Sequence, residues 1–289
     1  MRVATWNVNS VKQRHGRLLE WLDSRRPVVV CLQELKLTDD AFATLIGPDL
    51  EERGYEFTTA GQPQWNGSAL LSKVGLEDVV IGIPGAPAFD GIVEGRAISG
   101  VCDGIRVHSL YTPNGREIGS DHYDYKLEWL AALAAQVKAD TVPQLVCGDM
   151  NIAPTDADVF DPAAFVGHTH VTAPERGALA ALADLGLRDV VREHWPDEQV
   201  FSYWDYRAGM FNKNLGMRID LILASGDVAD RTAAAWIDRQ ARKGKGPSDH
   251  APVMLDLDTA PDGDVGPMVP PPSAGRVSPK GAKVPQAKD

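Results

Sequence analysis

The sequence predicts an α/β fold, because apolar segments of strand length alternate along the chain with amphipathic segments of helix length. Residues 28–32 and 143–147 run directly into polar motifs, which is typical of buried strands that end at the surface. Asp103-Gly104 separates two further strand-like segments and indicates an antiparallel hairpin. We therefore expect strands and helices in alternation, with hairpins between them.

The first part of the chain predicts mostly strands and one helix. The helix follows Ser10, a residue type that caps helix N-termini, and carries Leu18 and Leu22 on one face. Turn signals at Gly61 and Asn66-Gly67 indicate two or three strands in that region. The expected strands are residues 2–6 and 28–32, those within 55–80, and the hairpin strands 93–101 and 105–111.

The second part begins with a helix over residues 125–139, in which Leu127, Leu130 and Val137 recur at helical spacing. A further helix is expected near 175–185, and strands are expected at 143–147, 219–224, 232–237 and 251–257. After Asp258 the composition changes to Pro, Gly, Ser, Ala and Lys. We therefore predict one domain, residues 1–258, followed by a disordered tail, residues 259–289.

The composition is that of a soluble globular protein, since 44% of the 289 residues are apolar and 24% are charged. No apolar run is long enough to cross a membrane and the first residues do not resemble a signal peptide, so we expect a cytoplasmic protein without a membrane partner. We interpret the three cysteines as buried thiols, because they lie in or beside strand-like runs. The net charge of −11 argues against nucleic-acid binding unless basic side chains collect on one face.

Polar residues at the ends of the expected strands are candidates for a metal site. Glu34 follows the strand at 28–32, and Asn7 and Asn9 follow the first strand. Carboxylate and amide oxygens suit Mg²⁺, which also keeps room for water and for a substrate phosphate. Glu34 alone is better explained as a solvated strand end or a helix cap, so the prediction of a metal site requires these two strands to be neighbours.

Asp149 and Asn151 lie two residues apart at another strand end, so both side chains can face the same way. Asp149 can orient or deprotonate a water while Asn151 holds that water or a phosphate, but an Asx turn explains the same residues. His250 precedes the last strand. Adjacent residues face opposite sides of an extended chain, so we expect Asp220 to orient His250 and Asp249 to face the metal.

Motifs of several other enzyme classes are absent from the sequence. Ser248 lies near His250, but no G-x-S-x-G elbow is present, which argues against a serine hydrolase. Neither H-E-x-x-H nor Cys/His zinc spacings occur, and neither common nucleotide-binding loop is found. A hydrolase that uses an oxygen-ligated cation fits the remaining motifs best.

Taken together, six motifs in order resemble the exonuclease III family of abasic-site endonucleases, within the endonuclease/exonuclease/phosphatase superfamily. They are Trp6-Asn7-Val8-Asn9, Leu32-Gln33-Glu34-Leu35-Lys36, Tyr111-Thr112-Pro113-Asn114, Gly148-Asp149-Met150-Asn151, Arg218-Ile219-Asp220 and Ser248-Asp249-His250. The resemblance covers residues 1 to about 258. It implies a four-layer α/β sandwich, with two mixed β-sheets packed face to face and helices outside.

The resemblance also implies a Mg²⁺-dependent hydrolase of duplex DNA, with Mn²⁺ as a substitute, that acts as a monomer. Its implied activities are cleavage 5′ to abasic sites, 3′→5′ exonuclease action and removal of blocked 3′ ends. The implied metal site is formed by Asn7, Glu34, Asp149, Asn151, Asp249 and His250, with one or two ions. The implied catalytic residues are Tyr111, Asp149, Asn151, Asp220 and His250.

The DNA-binding residues that the resemblance implies are Asn9, Lys36, Arg96, Asn114, Arg116, Lys126, Tyr203, Trp204, Arg207, Met217 and Arg218. Of these, Tyr203 and Met217, together with Ile219, resemble the apolar pocket that receives a flipped-out baseless sugar, although core packing explains all three as well. Phe165 and His168 replace Asn residues of many relatives, which leaves the balance of activities open. A phosphoesterase for lipid or inositol phosphates and a non-catalytic DNA-binding module are the alternative hypotheses.

Overall fold

Two six-stranded sheets form the centre of the fold. The computed structural model describes residues 1–259 and 266–273. In chain order the strands are β1 (Arg2–Asn7), β2 (Val29–Gln33), β3 (Glu56–Ala60), β4 (Ser68–Ser72), β5 (Glu77–Ile81), β6 (Ala97–Cys102), β7 (Ile105–Tyr111), β8 (Gln144–Asp149), β9 (Leu187–Asp189), β10 (Asp220–Ser225), β11 (Thr232–Ile237) and β12 (Val253–Leu257). The strand order is β11-β12-β1-β2-β4-β3 in one sheet and β5-β6-β7-β8-β10-β9 in the other.

Helices connect and cover the strands. They are α1 (Val11–Arg25), α2 (Asp39–Glu52), α3 (Asp121–Ala139), α4 (Ala173–Asp184), α5 (Val190–His194), α6 (Met210–Lys213) and α7 (Gly226–Ala229). Short 3₁₀ helices occur at Asp156–Asp158, Pro162–Phe165, Arg207–Gly209 and Arg239–Arg242. The predicted cap of α1 is confirmed, because Ser10 accepts a hydrogen bond from the backbone N–H of Gln13. In the described ranges, no helix combines the length and the apolar character of a membrane span.

Three apolar cores separate the layers. One lies between the sheets and contains Val3, Cys31, Val107 and Cys147. The second lies between the first sheet and helices α1 and α2, and the third between the second sheet and helices α3 and α4. The predicted four-layer α/β sandwich is therefore confirmed. All three cysteines are buried free thiols, as expected.

The two sheets share one arrangement at their centres. β1 and β2 are parallel and joined through α1, and β7 and β8 are parallel and joined through α3. Parallel strands end at the same edge of a sheet, so Asn7 lies beside Gln33 and Tyr111 beside Asp149. The two edges meet, since Asn7 Nδ2 donates a hydrogen bond to Asp149 Oδ2 at 3.0 Å. The fold thereby joins the polar ends of four strands.

Some elements differ from the sequence-based expectation. α2, β9 and the short helices α5, α6 and α7 were not expected. The first hairpin strand begins at Ala97 rather than at 93, and Val93 is exposed. These differences leave the order of the central strands unchanged.

The prediction of disorder from residue 259 onward is wrong for residues 266–273. Ile237 at the end of β11 donates a backbone hydrogen bond to Pro267 and accepts one from Val269. Met268 and Val269 are buried against the sheets. The aliphatic side chains in this short stretch therefore anchor it, and residues 260–265 and 274–289 of the predicted tail lie outside the described residues.

Gly148 lies where the two parallel strands of the second sheet come closest. Its φ is +152°, and a Cβ built on it would lie 1.9 Å from the carbonyl oxygen of Leu110. We expect Gly148→Ala to lower the free energy of unfolding by about 2 kcal/mol or more, since the neighbouring backbone must move. Urea unfolding measures this change. Gly177→Ala in α4, where no atom lies within 4 Å of the added Cβ, is the control and should be neutral or stabilising. Equal stability of Gly148→Ala and the wild type would contradict the close approach.

Candidate active site

The candidate active site lies where β1, β2 and β8 end, beside the turn that precedes β12. Asn7 is the last residue of β1, Glu34 follows β2, and Asp149 is the last residue of β8. The backbone oxygen of His250 accepts a hydrogen bond from Trp6 Nε1 at 3.2 Å, which holds the turn against β1. The structure thus brings together residues from opposite ends of the chain, as the motifs predicted.

Glu34, Asp149 and His250 form a compact cluster. One ligand atom of each lies within 4.8 Å of those of the other two. Asn7 Nδ2 donates to Glu34 Oε1 at 2.8 Å and to Asp149 Oδ2 at 3.0 Å, so a single amide group holds both carboxylates. Lys36 Nζ lies 2.9 Å from Glu34 Oε2 and completes the contacts on the outer side.

Asp220 orients His250, as the alternation of side chains predicted. His250 Nδ1 lies 2.9 Å from Asp220 Oδ2, and His250 Nε2 lies 3.8 Å from Asp149 Oδ2. Asp220 and Asp149 face each other in the pairing of β10 with β8. Ser202 Oγ donates to Asp220 Oδ2 at 2.6 Å. No signal in the sequence indicated this role of Ser202, since a lone serine fits no motif.

The charges in this cluster depend on burial. Burial alone would lower the pKa of His250, but the carboxylates of Asp220 and Asp149 outweigh it and raise that pKa to about 10. The imidazole is therefore protonated on both nitrogens near neutral pH. Burial also raises the pKa of Asp149 to about 7, against the attraction of the His250 cation. A bound cation beside Asp149 would offset this cost of burying its charge.

The donor set of the cluster fits Mg²⁺. Glu34 and Asp149 offer carboxylate oxygens within reach of one ion, which is the sparse protein coordination that Mg²⁺ favours. When bound, the ion would supply positive charge at a substrate phosphate. His250 belongs to the same three-residue cluster, with Nδ1 held by Asp220 and Nε2 facing Asp149, and its role as a metal ligand stays a prediction.

Three other predicted metal ligands face different partners. Asn7 turns its amide nitrogen toward the carboxylates, and its oxygen accepts the backbone N–H of Asn9 at 3.0 Å. Asn151 Oδ1 accepts a hydrogen bond from Asn114 Nδ2 at 3.1 Å. Asp249 Oδ1 accepts one from Asn9 Nδ2 at 3.0 Å and is not a member of the three-residue cluster. In this arrangement these side chains position their neighbours, and their roles as metal ligands stay predictions.

Tyr111 places its hydroxyl near Glu34. Burial and the Glu34 carboxylate hold the pKa of Tyr111 well above its usual range, so the hydroxyl stays protonated and can donate to a phosphate. Arg96 stacks on the ring at 4.9 Å from its centroid and pairs with Glu94 at 2.6 Å. Arg96 therefore supports Tyr111, and its predicted contact with a DNA phosphate stays a prediction.

A pocket of about 150 Å³ adjoins the cluster. Tyr203 joins the two, since its ring centroid lies 4.9 Å from that of His250. The predicted DNA-binding residues on its walls are Asn114, Arg116, Tyr203, Arg207 and Met217, and its other walls include Phe160, Phe165 and His168. Tyr203 and Met217 thus face a cavity. Asn9 and Lys36, which hydrogen-bond each other at 2.7 Å, lie partly exposed at the metal-site side.

Three predicted DNA-binding residues are buried instead, and the predictions for Lys126, Trp204 and Arg218 are wrong. Each is 0% exposed, so none can reach a nucleic acid without unfolding. Lys126 Nζ pairs with Glu175 Oε1 at 2.5 Å, and Arg218 Nε pairs with Asp158 Oδ1 at 2.6 Å. The charges of Lys126 and Arg218 are therefore balanced inside the protein, as buried charges require.

The buried pair of Lys126 and Glu175 supports the site from behind. Lys126 Nζ also donates to the backbone oxygens of Asn151 at 2.7 Å and Asn114 at 3.2 Å. Glu175 closes a capping box with Thr172 at the start of α4. This role of Glu175 was not predicted, although the Thr-x-x-Glu spacing of a capping box was present in the sequence.

Comparison with known proteins gives a consistent result. The sequence pattern described as "Endonuclease/Exonuclease/phosphatase family" matches residues 4–250. A protein of Bacillus subtilis (strain 168) named "Exodeoxyribonuclease" is 31% identical over 262 residues, which cover 88% of this chain and 98% of that protein. The solved 3′-5′ exonuclease (NExo) of Neisseria meningitidis is 35% identical with a TM-score of 0.85, and an AP endonuclease of Archaeoglobus fulgidus is 33% identical with a TM-score of 0.84. For each structure the match covers 90% of this chain and 100% of the other.

Arg218→Gln tests the buried role of this arginine. We expect a loss of about 3–5 kcal/mol in the free energy of unfolding, because Asp158 and Asp189 lose a buried partner. Chemical denaturation measures the loss. Arg207→Gln is the matched control, because the Arg207 side chain is 43% exposed, and should change stability by no more than about 0.5 kcal/mol. An equally small change in stability for Arg218→Gln would support the predicted role of Arg218 as a surface contact to DNA.

Glu175→Gln tests the ion pair through pH. Lys126 overcomes the effect of burial and lowers the pKa of Glu175 to about 2, compared with 4.5 for a free glutamate. The pair therefore stabilises the fold fully above about pH 4.5, and this contribution is lost as the pH falls toward 2. We expect the stability difference between wild type and Glu175→Gln to be large at pH 7 and to shrink below pH 4.5, as measured by urea unfolding. A difference that stays constant down to pH 3 would contradict the assignment.

Proposed function

Because the chain belongs to the endonuclease/exonuclease/phosphatase family, we propose that it is a Mg²⁺-dependent DNA-repair nuclease of the exonuclease III type. It hydrolyses phosphodiesters in duplex DNA, as a 3′→5′ exonuclease and as an endonuclease that cuts 5′ to abasic sites, and it clears blocked 3′ ends. The names of the relatives, which include both an exodeoxyribonuclease and an AP endonuclease, support DNA as the substrate. They favour it over lipid or inositol phosphates.

The observation that carries the proposal is the cluster of Glu34, Asp149 and His250, in which Asp220 fixes the imidazole. Asp149 Oδ2 accepts a hydrogen bond or a proton from the attacking water. His250 Nε2–H and the Tyr111 hydroxyl donate to phosphoryl oxygens, where negative charge grows as the water oxygen bonds to phosphorus. The bond from phosphorus to the 3′ oxygen breaks, and that oxygen leaves as the new 3′ hydroxyl after it takes a proton from solvent. Glu34 and Asp149 would hold Mg²⁺, or Mn²⁺ as a substitute, and the bound ion would supply further positive charge at the phosphate.

The adjoining pocket supports action at abasic sites. A baseless sugar is small, and a pocket of about 150 Å³ walled by Tyr203 and Met217 offers it apolar contacts. Arg116 and Arg207 at the same pocket provide positive charge for the flanking phosphates. The proposal also includes a catalytic domain of residues 1–258, action as a monomer and a location in the cytoplasm.

Asp149→Asn tests the catalytic assignment. We expect a fall in turnover of about 10²–10⁴-fold with DNA binding largely retained, since the amide accepts no proton from water. The substrates are matched duplexes that carry a stable abasic analogue, a 3′ phosphate or an ordinary 3′ hydroxyl, each with Mg²⁺ and with EDTA. Asp197→Asn, which changes an exposed carboxylate, is the control and should retain wild-type turnover.

EDTA should abolish cleavage of all three duplexes, and added Mg²⁺ should restore it. Absence of cleavage by the wild-type chain with either Mg²⁺ or Mn²⁺ would refute the proposed nuclease. Release of phosphate from inositol or lipid phosphates in its place would establish the alternative phosphoesterase. The relative rates on the three duplexes rank the activities.

A further inference from the structure

Besides Arg116 and Arg207 at the active-site pocket, a second basic region lies beside the candidate active site, around Tyr206. It contains three arginines that are almost fully buried: Arg14 is 7% exposed, Arg239 5% and Arg242 6%. They come from α1 and from the 3₁₀ helix at Arg239–Arg242. Three buried positive charges in one region need compensation, because burial removes the water that would otherwise stabilise them.

The hydrogen-bond partners of these arginines are neutral. Arg242 Nη2 donates to the backbone oxygen of Trp204 at 2.9 Å, and Arg239 Nη2 to that of Phe211 at 3.1 Å. Arg14 donates to backbone oxygens, to the Gln13 amide and to the Tyr206 hydroxyl. Among the described residues, none of the three forms an ion pair with a carboxylate, and the Nε of each is buried without a partner.

This lack of carboxylates does not follow from the composition, since the chain has 40 acidic residues against 29 basic ones. Elsewhere in the fold, buried Arg218 has two aspartate partners. In the second region, burial and the neighbouring Arg242 lower the pKa of Arg239 to about 10. The carboxylates closest to the region, Asp205 and Asp249, are held by other groups. The positive charge is therefore left for a group outside the chain.

A pocket of about 340 Å³ opens at Arg242, and Arg14 and Arg239 lie outside its lining. Arg242, Lys243, Tyr206 and Phe211 contribute to its walls, and Lys243 is exposed. The guanidinium carbons of Arg239 and Arg242 lie 4.1 and 5.0 Å from the centroid of the Phe211 ring. Stacking on this ring holds the guanidinium groups in place, and a preorganised guanidinium binds a phosphate with less loss of entropy.

The second pocket and the active-site pocket share a wall. Asp205 and Met210 line both, so the segment 205–210 forms a ridge between them. On the ridge, the Tyr206 hydroxyl accepts hydrogen bonds from Arg14 at 2.8 Å and from Asn9 at 3.4 Å. Asn9 in turn contacts Lys36 and Asp249 beside the metal cluster. A DNA strand bound at the candidate active site therefore has a short path over this ridge to the second pocket.

We propose that the second pocket is a phosphate-binding subsite, occupied by a backbone phosphate of the same DNA strand that enters the candidate active site. This inference rests on the proposed function, which identifies the bound strand as DNA. Arg242 offers planar N–H donors and Lys243 a mobile point charge, the two kinds of group that bind phosphate in proteins. Free inorganic phosphate has the same chemistry and is the other source to be tested.

The DNA arm of the test measures the salt dependence of binding. In an Asp149→Asn background, with EDTA present so that cleavage does not interfere, Arg242→Gln and Lys243→Ala are compared with the parent on abasic and undamaged duplexes. Each variant should make the slope of log K against log salt shallower by about 1, equally on both duplexes. Lys138→Ala, an exposed lysine in the last turn of α3, is the control and should leave the slope unchanged.

The phosphate arm uses inorganic phosphate alone, at constant ionic strength, and measures the thermal midpoint of the full chain. Shallower slopes in the DNA arm for Arg242→Gln and Lys243→Ala support the proposal. Unchanged slopes overturn it, and a phosphate-dependent rise in Tm that Arg242→Gln abolishes would then assign the pocket to a free anion. Lys243→Ala changes only a surface residue, so it decides the question if Arg242→Gln does not fold.

The two proposals fail in distinguishable ways. Failure of the proposed function appears as absence of cleavage by the chain with Asp149 intact, whereas failure of the subsite appears only in the salt slopes. A chain that cleaves DNA with wild-type salt dependence after Lys243→Ala and Arg242→Gln retains its proposed function and lacks the subsite.

Discussion

The His250 imidazolium lies between the carboxylates of Asp220 and Asp149, and the rest of the candidate site depends on this buried arrangement of charges. The pairing of β8 with β10 places the two carboxylates opposite each other. In a buried position they would repel each other strongly without a positive group between them. The Ser202 hydroxyl and the Asn7 amide hold the two aspartates from the outer sides. Strand pairing thus sets the positions of the two carboxylates, and the positive charge of protonated His250 reduces the repulsion between them.

The sequence predicted the parts of the site that follow from strand periodicity. Because side chains alternate along a strand, Asp220 rather than Asp249 was expected to orient His250, and the structure agrees. The prediction that Glu34 lies near Asp149 required, in addition, that the two sheets pack face to face. That expectation came from the family resemblance. Local pattern alone does not specify which sheet edges converge.

Burial of charged residues was the main feature that the sequence did not predict. Lys126 and Arg218 have the residue types of phosphate contacts, yet both are balanced by internal carboxylates. Residue type gives the charge of a side chain, whereas its surroundings come from segments distant in the chain. For the same reason the net charge of −11 is a poor guide to the surface near the site, because carboxylates such as Asp158 and Glu175 are paired in the interior. Helix α2 was missed although Phe42, Ile46 and Leu50 recur every four residues.

The short segment after the last strand has a consequence for the outer strand of the first sheet. An outer strand presents free N–H and C=O groups, to which a strand of another molecule can add. Val269 and Pro267 engage Ile237 at the end of β11 and so occupy part of this edge. The residues that follow, Pro270, Pro271 and Pro272, have no backbone N–H to offer a further strand. The chain thereby shields this part of its own sheet from growth into an intermolecular assembly.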